Sequence, residues 1–312
     1  EREPGAIDHR ADSVGHRLGH GVSATNGFDH PRLAATPLQR KRAQVGLADI
    51  ARDDQHAVIG EQRPLGVAER PGTVRPLGAV IHGRVVLIDE HDLAIDLGTS
   101  GPKVALATAS GDVIATEFEE NALHILPDGG AEQDPEDWWT AIKAATHRLL
   151  ARGLAPADEI VAIASTGQWS GTVAVDESAN AIGNAIIWMD SRGEPPTKKM
   201  AGGLIDIQGY SPDKLIQWLR LTGGAPSVSG KDSISHILHL KQHQPETYRR
   251  TFKFLEPIDY IGLRLTGRFA ASYDSISLHW LTDNRDISNV RYDEGLLRLA
   301  GIDRSKLPDL QP

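Results

Sequence analysis

Three apolar runs separated by small-residue turns lie between Leu93 and Thr116, and this stretch constrains the fold more than any other part of the chain. The runs cover residues 93–96, 104–108 and 113–116. Apolar and β-branched runs broken by glycine-containing turns are typical of antiparallel strands joined by hairpins. The sequence therefore predicts a three-stranded antiparallel meander.

The first turn of the meander is rich in groups that can hold an anion. Glycines such as Gly98 let backbone N–H groups approach an anion closely, and Thr99 and Ser100 add hydroxyl donors. Asp96 ends the first run, where a carboxylate could hold hydrated Mg²⁺ beside a phosphate. From the residues alone, two interpretations remain open: a phosphate-binding hairpin and an ordinary tight hairpin.

Composition excludes several classes of partner and site. The formal net charge of -9 and the pI near 5.8 argue against nucleic acid or an anionic membrane as the main partner. No apolar run approaches the length of a membrane span. The chain has no cysteine, so it has neither disulfides nor cysteine-ligated metal, which fits the cytoplasmic location that we expect.

Residues 1–88 differ in composition from the rest of the chain. They contain no Trp or Tyr, use Arg almost exclusively (Lys41 is the one lysine), and show poor apolar periodicity. Such a segment has too little apolar surface to offset the entropy of ordering it. We predict that residues 1–88 are a disordered or non-native extension and that the folded domain covers residues 89–312. A genuine disordered or basic N-terminal arm is the alternative.

A helix is predicted to begin after Asp134. Asp134 suits the N-cap, Pro135 suits the first helical position, and apolar residues then recur at helical spacing as far as Gly153. Trp138 and Trp139 lie on this helix, where we expect them to anchor the core.

Three histidines recur on a second predicted helix, over residues 233–242 and just beyond it. His236, His239 and His243 are spaced by three and four residues, as metal ligands on one helical face would be. No partner carboxylate accompanies them in the sequence, so we predict that they are surface or packing residues.

Polar residues follow two further strands, predicted over residues 160–165 and 185–188. In α/β folds the ends of buried strands tend to line a crevice. Gln168 offers an amide, Trp169 an apolar face for a sugar ring, and Asp190 with Arg192 a carboxylate and a guanidinium. For Asp190 and Arg192, substrate contact and a local ion pair that fixes the turn remain equally open.

Four motifs resemble known kinases. D-L-G-T-S-x-x-K, which ends at Lys103, resembles the first phosphate motif of the actin–hexokinase–sugar-kinase superfamily. E-Q-D-P-x-x-W-W, S-x-G-Q-x-x-G and W-x-D-x-R resemble segments of the FGGY carbohydrate kinases, which include xylulokinase, and disfavour a chaperone-type ATPase. The resemblance implies that Asp96 positions Mg²⁺. It also implies a phosphate site at Gly98, Thr99, Ser100 and Lys103, and a sugar site at Gln168, Trp169, Ser170, Asp190 and Arg192.

Asp274 is the predicted catalytic base. The motif D-Y-x-x-x-x-L-T-G is followed by six residues and then by Asp274. This arrangement resembles the FGGY segment in which the matching aspartate deprotonates the attacking sugar hydroxyl. Phosphoryl transfer relies on positioning and electrostatics, and such a carboxylate suits it. From the neighbouring residues alone, Asp274 is predicted to be a helix N-cap.

The resemblance implies an α/β fold, the first lobe of an actin-like (ribonuclease-H-like) ATPase, with a mixed sheet opened by the meander and flanked by helices. It implies ATP-dependent phosphorylation of a ketose or polyol. Xylulokinases most often carry Gln-Met-His-Gly where this chain has Gln-Trp-Ser-Gly at residues 168–171, so the sugar stays open. The resemblance stops at Pro312, and we expect a missing nucleotide lobe and an apolar face that favours aggregation or homodimerisation. The alternative function is an inactive sugar-binding or structural lobe.

Overall fold

The computed structural model describes residues 90–312 and the backbone of two short strands before them, Gly78–Ile81 (β1) and Arg84–Leu87 (β2). These two strands pair with each other in antiparallel fashion. The remainder of residues 1–88 lies outside the described part of the chain, so its assignment as an extension stays a prediction.

A mixed four-stranded sheet opens the described domain. Its strands are β3 (His91–Gly98), β4 (Gly101–Thr108), β5 (Val113–Phe118) and β8 (Ile160–Gly167), in the order β5–β4–β3–β8. The first three form an antiparallel meander, whereas β8 lies parallel to β3. The predicted meander and mixed sheet are confirmed.

The remaining strands form small ladders. β6 pairs with β7, which pairs with β10, all antiparallel. β9 pairs with β11, β13 with β14, and β12 lies parallel to β15. The bounds are His124–Ile125 (β6), Ala131–Gln133 (β7), Val173–Val175 (β9), Ala185–Ile186 (β10), Lys253–Leu255 (β11), Ala270–Ser272 (β12), Thr282–Asp283 (β13), Arg291–Tyr292 (β14) and Asp309–Gln311 (β15).

The first turn is tighter than the sequence suggested. Gly98 pairs directly with Gly101, so only Thr99 and Ser100 connect β3 to β4, and Lys103 lies within β4. Gly101 has a φ of +144°, and a Cβ at this position would collide with the neighbouring backbone. Glycine is therefore required there, because other residues rarely adopt this conformation and the space is filled.

Seven α-helices lie in the described residues. Short 3₁₀ turns cover Ala157–Glu159 (η1), Ser275–His279 (η2) and Arg304–Lys306 (η3). The helices are Pro135–Ala151 (α1), Glu194–Ala201 (α2), Pro212–Thr222 (α3), Ser233–His243 (α4), Pro245–Arg250 (α5), Pro257–Thr266 (α6) and Glu294–Ala300 (α7).

Helix α1 starts as predicted. The Asp134 carboxylate accepts a hydrogen bond of 2.9 Å from the Glu136 N–H, and Pro135 occupies the first helical position. Gly153, which follows the helix, has a φ of +63°. Both ends thus follow ordinary capping chemistry encoded in adjacent residues.

Two hydrophobic clusters account for most of the core. In the first, Trp138 and Ile142 of α1 pack with Leu97 of β3 and with residues of α6. In the second, Trp218 of α3 packs with Ile237 of α4 and with residues of β11 and α7. Trp138 is fully buried, and truncation of such an aromatic side chain typically costs about 3–5 kcal/mol.

Two of the three histidines of α4 pack inside the protein, and His243 is exposed. His236 is fully buried and its Nδ1 lies 3.2 Å from the Thr172 hydroxyl, and His239 is 8% exposed. Burial lowers the pKa of His236 to about 4, so the ring is neutral at pH 7. Among the described residues no group of three or more His, Asp or Glu side chains is placed to hold a metal.

Candidate functional site

Three exposed polar side chains form a row across the open face of the main sheet. Asp96 of β3 pairs directly with Lys103 of β4 and with Thr166 of β8. Directly paired residues point to the same face of a sheet, and here that face is opposite the buried one that carries Ile95 and Leu97. The row therefore places a carboxylate, an ammonium group and a hydroxyl side by side. Thr166 was not among the predicted residues.

The 98–101 turn and the 168–171 loop are joined by hydrogen bonds. Thr99 Oγ1 donates to Gln168 Oε1 at 3.4 Å, a long contact. Gln168 Nε2 donates to Gln133 Oε1 at 2.8 Å, and Gln133 Nε2 donates to the Thr99 carbonyl at 2.9 Å. The predicted phosphate and sugar residues thus lie together, linked by a glutamine that is fully buried.

Trp188 adds a second link to the turn. Its indole N–H donates to Thr99 Oγ1 at 3.0 Å, while the residue remains 45% exposed. The Gln168 backbone N–H also donates to the Leu97 carbonyl at 2.7 Å. These contacts fix the turn and the loop against each other and leave an aromatic surface open to solvent.

The 168–171 loop presents one aromatic residue and one strained residue. Trp169 is 57% exposed, as expected for a side chain that offers its face to a ligand. Ser170 has a φ of +61°, and its hydroxyl donates to the Lys231 carbonyl at 2.7 Å. Non-glycine residues in this region typically cost about 1–3 kcal/mol and cluster at functional sites.

Asp190 and Arg192 form a buried ion pair. Asp190 Oδ2 accepts from Arg192 Nη2 at 2.6 Å and from the Ala131 N–H at 3.0 Å, and Arg192 Nη2 also donates to Glu132. Burial opposes ionisation of Asp190, but these hydrogen bonds outweigh it and hold its pKa below the ordinary value. With its oxygens engaged within the protein, this pair matches the turn-fixing alternative more closely than the sugar-contact alternative, and its predicted substrate role stays a prediction.

Asp274 is an exposed carboxylate at the start of the η2 turn. It occupies the N-cap position, but its side chain makes no capping hydrogen bond. The next residue, Ser275, donates from its hydroxyl to both carboxylate oxygens of Asp259, at 3.0 and 2.8 Å. The carboxylate is therefore free for another partner, while the turn that carries it is held by α6.

A cavity of about 490 Å³ lies beside this turn, between α6, β8 and β12. Asp259, Ser165 and Ser272 line it, together with apolar residues of α6, and none of the predicted site residues does. Burial raises the pKa of Asp259 to about 8, and the negative charges of Glu256 and Asp274 act in the same direction.

Comparison with family models matches residues 92–312 to the N-terminal domain of the FGGY family of carbohydrate kinases. The chain belongs to the FGGY family. The match begins at the strand that carries Asp96 and ends at the last residue, so every predicted site residue lies within it.

Relatives and structures agree with this FGGY assignment. Xylulose kinase of Escherichia coli (strain K12) is 28% identical over 228 residues, 70% of this chain and 41% of that protein. Xylulose kinase of Bacillus subtilis (strain 168) is 31% identical over 188 residues, 59% of this chain and 34% of that protein. The ligand-bound xylulose kinase from Lactobacillus acidophilus is similar with a TM-score of 0.60 at 20% identity, covering 71% of this chain and 42% of that chain.

The structural likeness confirms the expected fold, that of an actin-like ATPase lobe. The FGGY chain spans about two-fifths of the length of its E. coli relative. Kinase activity of this chain by itself stays a prediction, and so does the formation of homodimers.

Besides Thr166, sequence reasoning assigned no role to three residues that contact the turn or the loop of the site. Gln133 and Trp188 lie inside the quoted motifs, E-Q-D-P and W-x-D-x-R, so their positions gave a signal although no role was assigned. Glu256 lies between two apolar segments and gave no signal of its own. All three contact residues far away in the sequence.

Proposed function

We propose that this FGGY chain supplies the sugar-binding lobe of an ATP-dependent kinase that phosphorylates a ketose or polyol, in the manner of a xylulose kinase. One observation carries the proposal: the buried Gln133 joins the 98–101 turn to the 168–171 loop. A kinase must hold the transferring phosphate and the acceptor hydroxyl at a fixed distance and orientation. A link between the turn and the loop favours such a fixed arrangement.

Asp274 is the general base in this proposal. Its carboxylate takes the proton of the sugar hydroxyl as that oxygen attacks the γ-phosphorus of ATP. The new O–P bond forms while the bond from the γ-phosphorus to the bridging oxygen breaks, and ADP leaves. The exposed position of Asp274 and its lack of a capping hydrogen bond support this role. A general base typically contributes about 10²–10⁴ in rate.

The phosphate side of the site uses the 98–101 turn and the row on the sheet. Gly98, Thr99 and Ser100 form the turn that would hold the phosphate, with the Ser100 hydroxyl as a side-chain donor, and Lys103 adds positive charge nearby. Asp96 presents an exposed carboxylate, which fits Mg²⁺ because this ion usually takes one or two carboxylates and completes its shell with water and phosphate. When bound, Mg²⁺ would neutralise charge on the phosphates.

The sugar side uses Gln168, Trp169 and Ser170. The Gln168 amide can exchange hydrogen bonds with sugar hydroxyls, and Trp169 offers an exposed ring for the apolar face of the sugar. Asp190 and Arg192 support the neighbouring turn.

The partners in this proposal are a small sugar and ATP, and the location is the cytoplasm. The net charge of -9 disfavours nucleic acid as a partner. No helix in the part of the chain that the structure describes is long and apolar enough to cross a membrane.

A thermal-shift panel of ketoses, polyols and aldonates tests the sugar assignment. A ligand that binds only the folded state raises its stability by about 2.7 kcal/mol at a hundredfold excess over Kd. A shift with one ketose or polyol would support the proposal. A cooperative melt that no sugar shifts would contradict it.

Asp274→Asn tests the catalytic assignment. We expect ADP release with the preferred sugar to fall at least a hundredfold, while the thermal shift with that sugar remains, because the amide cannot take the proton. Near-normal turnover in this variant would refute the role of Asp274.

The second candidate is a sugar-binding lobe without activity. In that case sugars would shift the melting temperature of the wild-type chain, but ATP and sugar together would release no ADP.

A further inference from the structure

Glu256 is a buried carboxylate at the junction of three segments. It is 1% exposed and precedes the first residue of α6. Its Oε2 accepts the backbone N–H of Gly171 at 3.1 Å, and its Oε1 accepts the hydroxyl of Ser233. His279 Nε2 lies 3.5 Å from Oε1. The contacts thus come from the 168–171 loop, the start of α4 and the end of η2.

The partners of Glu256 connect the two halves of the site. Gly171 closes the loop that contains Gln168 and Trp169, and His279 ends the turn that Asp274 opens. A buried carboxylate is tolerated only where hydrogen bonds or charges compensate its desolvation. Displacement of the loop or of the start of α4 would break a hydrogen bond to Glu256, and displacement of η2 would move the His279 ring that lies against its carboxylate, so these contacts resist such movement.

The backbone of the loop at Gly171 packs directly against the start of α6. A Cβ at Gly171 would lie 2.5 Å from Cγ of Pro257, the residue that follows Glu256. The Ser233 hydroxyl, which donates to Glu256, also lies 3.2 Å from the Gly171 carbonyl oxygen. Gly171 is thus bonded to Glu256 through its N–H and lies beside Ser233 through its carbonyl.

Two strained residues flank the same junction. Ser170 and Trp280 have φ values of +61° and +54°, outside the range that such residues normally adopt. Ser170 donates to the Lys231 carbonyl at 2.7 Å, and Trp280 donates from its indole to Asp232 at 2.9 Å. Such conformations persist only where the surroundings over-determine them. Residues 231–233 are therefore bonded to Ser170 of the loop, to Trp280 directly after η2, and to Glu256.

We propose that Glu256 is a positioning residue that fixes the 168–171 loop and the η2 turn relative to each other. The proposal rests on the proposed function for its consequence: the sugar, held by the loop, is presented to Asp274 at a constant distance. Glu256 itself touches neither sugar nor phosphate in this scheme. It acts through Gly171, Ser233 and His279.

Two serines of α4 provide a matched test. Ser233 and Ser235 are both fully buried on the same helix, but Ser233 donates to Glu256 whereas Ser235 accepts from the Thr197 hydroxyl. Ser233→Ala removes a contact of the junction. Ser235→Ala removes a buried hydrogen bond elsewhere.

The experiment measures hydrogen exchange and the Kd for D-xylulose on the full chain. Glu256→Ala and Ser233→Ala should accelerate exchange at least tenfold in peptides covering both residues 168–171 and residues 275–279. They should weaken D-xylulose binding at least tenfold and threefold, respectively. Glu256→Gln, which keeps an acceptor for the Gly171 N–H, should stay within threefold of wild type in both readouts.

Ser235→Ala should change neither readout, even where its melting temperature falls as far as that of Ser233→Ala. Faster exchange in only one of the two segments, or an equal response to Ser235→Ala, would overturn the proposal. If Glu256→Ala does not fold, Ser233→Ala alone decides between these outcomes. A further outcome is that the wild-type chain binds no sugar while the Glu256→Ala and Ser233→Ala variants still exchange faster in both segments. That result would contradict the proposed function and uphold the positioning role.

Discussion

Asp259→Asn should change the pH dependence of stability above pH 6.5. Asp259 is 7% exposed, and burial raises its pKa from 3.8 to about 8. The folded state therefore keeps a proton that the unfolded state has lost between these two pH values. A raised pKa of this kind favours folding at low pH, and the advantage disappears as the pH rises through the folded-state value.

The magnitude follows from the pKa difference. Each pH unit within the window changes the free energy of unfolding by about 1.4 kcal/mol. His236 has the opposite sign, because its pKa is lowered to about 4 and the unfolded state binds the extra proton below pH 6.5. The two effects cancel between about pH 4 and 6.5. Above pH 6.5 the contribution of Asp259 is no longer offset by that of His236, and we expect it to lower the free energy of unfolding by about 2 kcal/mol by pH 8.

Urea unfolding of wild type and Asp259→Asn at pH 5, 6.5 and 8 measures this loss. Asparagine cannot ionise but can still accept from the Ser275 hydroxyl, so the variant should lack the loss of about 2 kcal/mol between pH 6.5 and 8. All other titrating groups are present in both proteins. Their contributions therefore cancel when the free energy of unfolding of the variant is subtracted from that of the wild type. Equal slopes for both proteins above pH 6.5 would refute the assignment of a protonated Asp259.

Three further substitutions and one control substitution test the architecture of the site. Gln133→Leu should cost about 1–3 kcal/mol, because it leaves buried polar partners unsatisfied, and it should also weaken sugar binding. Asp190→Asn should cost about 1–3 kcal/mol, because the charge-assisted hydrogen bonds between Asp190 and Arg192 are weakened while Arg192 keeps its pairing with Glu132. Gly101→Ala should prevent stable folding, because its Cβ would collide with the neighbouring backbone. Gly262→Ala is the control: it lies within α6, its Cβ would meet open space, and the free energy of unfolding should rise by about 0.5–1 kcal/mol. Urea unfolding measures each change, and sugar titration measures binding.

Each of these predictions can fail. Unchanged sugar affinity in Gln133→Leu would show that the buried link does not shape the site. A loss below 1 kcal/mol for Asp190→Asn would mean that Arg192 finds other compensation, and a cooperatively folded Gly101→Ala would show that the 98–101 turn tolerates a side chain.

The sequence alone determined the elements whose signals are local. The meander was predictable because strand patterns and glycine turns are encoded in neighbouring residues, and α1 because Asp134 and Pro135 cap it from adjacent positions. The family was predictable because its motifs are contiguous. The tight turn at residues 99–100 was not, because its length depends on the pairing of Gly98 with Gly101.

Only the tertiary structure decided how distant residues meet. Gln133 lies 34 residues from Thr99, and Glu256 lies 85 residues from Gly171, so no local pattern could indicate these bonds. The pKa of Asp259 likewise depends on burial, which the D-Y motif does not encode. Local chemistry specifies a helix or turn from its own residues, whereas desolvation and long-range hydrogen bonds exist only once the chain has packed.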